Sequence, residues 1–188
     1  MAISKNNPIV DGASGKFGNN LVFRRLGKAT ILAARPKATT VAPTEQQMIN
    51  RFAFTEASAY AKDAIADPTV KAAYKEKAKG NQSAYNVAFK DFMTAPVLHQ
   101  VNWKDFSGAV GDRITLRITD VMAVLSVRVS LYAPDGSLIE SGAAVQAALK
   151  LDWVYTVTVG YSPISGMRML VEMMDTPLNS YSEEVEIV

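Results

Sequence analysis

The sequence predicts an α+β chain in three parts: an extended basic arm carrying a β-hairpin (residues 1–43), a short three-helix segment (44–96), and an all-β sandwich (97–188). Three observations carry this. Glycines crowd residues 12–27, apolar residues between Thr44 and Phe92 recur at helical spacing, and from Val97 onward apolar and polar residues alternate with a period of two.

In the arm, Leu21-Val22-Phe23-Arg24-Arg25 and Ala29-Thr30-Ile31-Leu32-Ala33 flank Leu26-Gly27-Lys28, two apolar-rich runs around a short turn, which predicts a hairpin. Arg35-Pro36 ends it, because proline donates no ladder hydrogen bond, and Pro36 to Pro43 is expected to be an extended linker. Gly12, Gly15 and Gly18 form G-x-x-G-x-x-G. No strand precedes that run and no G-K-[ST] follows, so sharp bends are expected there rather than a phosphate loop.

Thr44 with Gln47 fits a capping box, and Glu45 suits the positive end of a helix dipole. Ile49, Phe52, Ala53, Ala57, Tyr60 and Ala64 then fall on one expected buried face. Asp67-Pro68 restarts the chain as N-cap and first helical residue. Val70, Ala73 and Tyr74 make a second face, with Gly80 as the stop. Tyr85, Ala88, Phe89 and Phe92 repeat the pattern before Ala95-Pro96, an aromatic stripe expected to be core.

Beyond Val97, Ile114, Leu116 and Ile118 alternate with polar neighbours, as do Leu125, Val127, Val129 and Leu131. Pro134-Asp135-Gly136 is a turn signal before Ser137-Leu138-Ile139. Trp153, Tyr155, Val157 and Val159 follow, then Met169, Val171 and Met173, and finally Val185 and Ile187. About seven strands in this span give the spacing of an immunoglobulin-like sandwich without its cysteine pair. Trp103 and Trp153 are candidate core anchors.

The chain has 188 residues, 48% hydrophobic and 20% charged, which is ordinary for a folded protein. It has no cysteine, so disulfides, thiolate metal sites and cysteine nucleophiles are excluded. No apolar core follows Lys5 to make a secretory signal, and no run approaches the roughly 18–20 apolar residues of a membrane span. Synthesis in the cytoplasm as a soluble protein is the expectation. The net charge of +2 hides an asymmetry: residues 1–44 carry seven basic groups and one acidic (+6), 45–96 carry seven and six (+1), and 97–188 carry six and eleven (−5).

The series Gly15-Lys16-x-Gly18-Asn19, Val22-Phe23, Gly27-Lys28, Arg35-Pro36 and Thr44-x-x-Gln47 resembles the N-terminus of a family of uncharacterised proteins from Bacteroidota and their phages. Gly111-Asp112, Asp135-Gly136, Ile139-Glu140-Ser141-Gly142-Ala143 and Trp153-x-Tyr155 resemble the same family further on. The resemblance implies a structural or phage-associated protein, present in the virion if phage-derived and made in the host cytoplasm. It implies no activity.

Chemistry is sparse. His99 is the single histidine, placed in an alternating run where a partly buried strand position is expected. Gly12-Ala13-Ser14-Gly15 lacks the spacing of a nucleophile elbow. Glu183, Glu184 and Glu186 form the densest carboxylate group, but neighbouring strand residues point to opposite faces and cannot pair as acid and base. Met167, Met169, Met173 and Met174 are expected to fill core space. No enzymatic activity, catalytic residue, cofactor or metal is therefore expected. The functional candidate is the arm, with Lys16, Arg24, Arg25, Lys28, Arg35 and Lys37 as partner-binding residues. The expected function is that of a structural or assembly protein docking through the arm onto protein partners, its own copies or other virion proteins, with no membrane contact. The alternative is nucleic-acid binding by the same cations, which would neutralise phosphates in a salt-dependent way.

Overall fold

The computed structural model describes residues 2–4, 7–37, 40–148 and 150–187. Its elements in chain order are β1 (Ala2–Ser4), β2 (Gly15–Phe17), β3 (Leu21–Leu26), β4 (Ala29–Ala34), α1 (Glu45–Ala66), α2 (Pro68–Lys77), α3 (Ala84–Met93), β5 (Val97–Asn102), β6 (Arg113–Thr119), β7 (Val124–Tyr132), β8 (Leu138–Ala143), β9 (Val145–Gln146), β10 (Asp152–Thr156), β11 (Arg168–Asp175) and β12 (Ser180–Glu186). Three helices and three antiparallel sheets make this an α+β chain. It divides into two compact units, Met1–Phe52 with Lys79–Gln82, and Ala53–Ala78 with Ser83–Val188. The 96/97 boundary read from the change of pattern therefore lies inside the second unit.

In the first unit the expected hairpin is β3 and β4, with Leu26 opposite Ala29 and Gly27 at φ +59° in the turn, a left-handed conformation that glycine adopts without strain. Two three-residue strands extend it to the order β1-β4-β3-β2. These the sequence reading did not find. Gly12, Gly15 and Gly18 all have positive φ, so the glycine run bends the chain around β2. Thr30 is the one buried residue among those described in this unit.

Helix α1 opens on the expected reciprocal cap: Gln47 N–H donates to Thr44 Oγ1 at 3.3 Å, and Thr44 N–H donates to Gln47 Oε1 at 3.2 Å. Its expected buried face holds only in the second half, where Ala57 and Ala61 are fully buried, whereas Ile49 and Phe52 stand exposed. Spacing gives a stripe, but burial needs something to cover it. Asp67 caps α2 through Thr69 N–H at 2.7 Å and Val70 N–H at 3.2 Å, with Pro68 at the first position. The helix ends at Lys77, before the expected stop at Gly80, and of its expected face only Tyr74 is buried. Ser83 caps α3, whose Ala84, Val87 and Ala88 are buried while Tyr85 and Phe89 pack partly buried against the same cluster.

The β region holds two four-stranded sheets, β5-β6-β10-β9 and β12-β11-β7-β8. Both contribute to one hydrophobic core: Ile114, Leu116, Ile118, Trp153 and Tyr155 come from the first, and Val127, Val129, Leu131, Met169, Val171 and Met173 from the second. Trp153 is 6% exposed, as its strand position predicts, and Trp103 packs at the core margin. Met167, Met169 and Met173 fill core space as expected, while Met174 is partly exposed. Leu125 departs from its alternating series. A register shift at Met174/Asp175 places Val124 opposite Asp175, so Val124 is buried and Leu125 points out. Val159 is also exposed, because β10 ends at Thr156 and the chain then turns to Glu140. The Glu140 carboxylate on β8 accepts from the Thr158 and Val159 backbone N–H groups and the Thr158 hydroxyl. Burial, with the nearby Glu140 charge adding to it, pushes the Tyr155 phenol up to about 12.

Candidate functional site

The six arm cations are distributed by the sheet rather than gathered by it. Lys16 sits on β2 opposite Val22, and Arg24 is two residues along β3, so these two share one face. Arg25, adjacent to Arg24, points to the other face, in register with Thr30. Lys28 is in the exposed turn, and Arg35 and Lys37 follow β4, also exposed. Arg35 donates to Asn19 Oδ1 at 2.9 Å. Among the described residues, none of the six lies within ion-pair distance of a carboxylate. Lys5, the seventh basic group of the arm, lies outside the described residues.

The same sheet leaves much apolar area uncovered. Phe17 is 68% exposed, although its ring meets Phe23 edge-on at 6.0 Å. Ile3, Leu26, and Met48, Ile49 and Phe52 of α1 are exposed as well. Both faces of the arm sheet thus combine apolar residues with one or more free cations.

A second polar constellation escaped the sequence reading. The Tyr74 hydroxyl donates to Asp91 Oδ2 at 2.8 Å, which leaves its oxygen to accept from the Tyr60 hydroxyl at 2.7 Å. Met122 N–H donates to Asp91 Oδ1 at 3.1 Å. The Asp175 carboxylate, also fully buried, accepts from Asn179 N–H at 2.7 Å and Asn179 Nδ2 at 3.2 Å. Burial, the largest effect, acts with the Asp120 and Asp175 charges and against the Tyr74 and Met122 donors, and together they bring the Asp91 carboxyl up to about 6. Burial likewise raises Asp120, with the Val121 N–H offsetting part of the cost. This cluster ties helices to strands inside the second unit. Its one visible signal was a carboxylate, Asp91, at helical spacing from Ala84, Val87 and Ala88.

His99 is exposed rather than partly buried, lying at the irregular pairing between Leu98 and Gln100, with its Nε2 2.6 Å from Thr119 Oγ1. Glu183, Glu184 and Glu186 are all exposed on β12, with Glu184 bridged to Arg168 at 2.8 Å. Among the described residues no group of three or more histidine, aspartate or glutamate side chains is placed to hold a metal ion, and no helix is long and apolar enough to cross a membrane.

No protein-family model matches the chain, and no curated protein matches it. Among solved structures, a pullulanase from Group B Streptococcus is similar over 49% of this chain and 10% of its own, at 18% identity and a TM-score of 0.29. An engineered protein is similar over 60% of this chain and 31% of its own, at 16% identity and a TM-score of 0.31. The chain thus spans about a tenth and about a third of these proteins. Likenesses this slight carry no argument about fold or function.

Proposed function

We propose that this chain is a non-enzymatic structural protein of a bacteriophage particle that docks onto protein through residues 1–43, and that residues 97–188 form an immunoglobulin-like sandwich. The observation that carries the docking is the arm unit itself. It builds a four-stranded sheet and the first two turns of a long helix, yet among its described residues only Thr30 is buried. A sheet of this size is stable when an apolar face is covered, and here exposed apolar side chains lie beside free cations on both faces. The sandwich reading is supported by strand order. Lettered in chain order, β5-β6-β10-β9 reads A-B-E-D and β12-β11-β7-β8 reads G-F-C-C′. The particle assignment draws on the motif resemblance given above.

The test is incorporation. Full-length protein is expected in purified particles, and residues 44–188 are expected to remain folded but be left out. Equal incorporation of both would overturn the docking. Nucleic-acid binding by the arm is the outcome in which full-length protein binds a DNA duplex and alanine at Lys16, Arg24, Arg25 and Lys28 abolishes it, lowering the log–log salt slope by roughly 0.9 per lost phosphate contact.

A further inference from the structure

We infer that the arm's protein partner is a second copy of this chain, and that the surface receiving it is the outer edge of β12; this rests on the docking reading above. The two core sheets end in four edge strands, β5, β9, β8 and β12. An edge strand presents unpaired N–H and C=O groups to any added strand, and its side chains decide which strand is accepted. β5 and β9 carry no charged residue. β8 carries only Glu140, which is buried and engaged by Thr158 and Val159. β12 alone presents exposed acidic groups, Glu183, Glu184 and Glu186. Glu183 stands opposite the fully buried Val171, on the strand face shared with Tyr181 and Val185, which pack against the core. A carboxylate on the inner face of an edge strand blocks general strand addition, and a strand carrying the opposite charge is the one that offsets it. Glu184 is already bridged to Arg168, whereas among the described residues Glu183 and Glu186 have no cation within ion-pair distance.

The arm supplies the complement. Of its two edge strands, β1 is uncharged, and β2 carries Lys16 on the face it shares with Arg24. A basic edge and an acidic edge thus occur in one chain, in equal number, within regions of net charge +6 and −5. Because the donor and acceptor surfaces differ, each copy that docks leaves its own acceptor open. The contact is heterologous and propagates into a ring or a chain of copies.

The test uses the full-length protein in sedimentation velocity over a range of concentrations. Two exposed-surface variants separate the surfaces: one carries Lys16→Glu, Arg24→Glu and Arg25→Glu, the other Glu183→Lys and Glu186→Lys, each checked for an unchanged thermal melt. Wild type is expected to self-associate at ~0.05 M salt and return to monomer by ~0.5 M, where the screening length falls to a few ångströms. Each variant alone should associate at least ~10-fold more weakly. Mixed in equal amounts they should associate again and propagate as alternating copies, since the intact arm of one meets the intact edge of the other and the reversed arm meets the reversed edge. All five changes in one chain should restore self-association. A wild type that stays monomeric at every concentration, while the full-length arm-reversed variant still fails to enter particles, overturns the second-copy partner and leaves the docking intact. Self-association that survives arm reversal overturns the arm as the donor surface and with it the second-copy partner, and association that survives edge reversal alone overturns β12 as the receiving surface.

Discussion

Replacing Asp91 by asparagine separates the ionisation of a buried carboxyl from its shape. Asp91 is fully buried, and its carboxyl rises from an ordinary 3.8 to about 6, chiefly through burial. At about 1.36 kcal/mol per unit of pKa, ionising it in the folded state costs about 3 kcal/mol more than ionising it in the unfolded chain. The folded protein therefore holds a proton between about pH 4 and 6 that the unfolded chain has released, and stability falls as the pH rises through that window. Above about pH 6 the loss is complete, and below about pH 4 it is absent. Asparagine cannot ionise, and its amide can still meet the Tyr74 hydroxyl and the Met122 N–H. Urea titrations from pH 4 to 7.5 should show the Asp91→Asn minus wild-type difference shifting in favour of the variant with rising pH, by up to about 3 kcal/mol, and levelling off near pH 6. Asp120, raised in the same direction, remains in both proteins and largely cancels in the difference. A difference that stays constant across this range would refute the buried, raised carboxyl.

Four further substitutions probe the same unit. Tyr74→Phe removes the hydroxyl that links Tyr60 to Asp91 and should cost about 1–3 kcal/mol in denaturant titration, because Asp91 Oδ2 loses its donor inside the protein. Trp153→Ala empties a core position and should cost about 3–5 kcal/mol; a loss below about 1 kcal/mol would place the ring outside the core. Gly108→Ala should cost more than about 2 kcal/mol, since φ is +84° and the added Cβ would run into the Tyr161 carbonyl oxygen. Gly111→Ala is its control: φ is +97° but the space is open, so a smaller loss is expected by thermal melt.

What the sequence determined by itself are the features set by neighbours along the chain. The Thr44–Gln47 box, the Asp67-Pro68 start and the Pro134-Asp135-Gly136 turn each rest on a few consecutive residues. There Gly136 takes φ +86°, and Asp135 Oδ1 accepts from Ser137 N–H at 2.9 Å. The alternation of Ile114, Leu116 and Ile118 is equally local, because successive strand residues must face opposite ways. The candidate arm residues could be named from the charge run, but not how they are arranged. That Lys16 joins Arg24 on one face follows from the pairing of β2 with β3, and β2 is too short and glycine-flanked to carry a pattern. Tertiary structure alone decided three other things. It left the first half of α1 uncovered, moved Val124 into Leu125's place through a register shift on a distant strand, and brought the Asp91, Asp120 and Asp175 charges together from separate elements. Each depends on which remote segment arrives beside a residue. Burial and a raised carboxyl pKa belong to that encounter, and no local period encodes it.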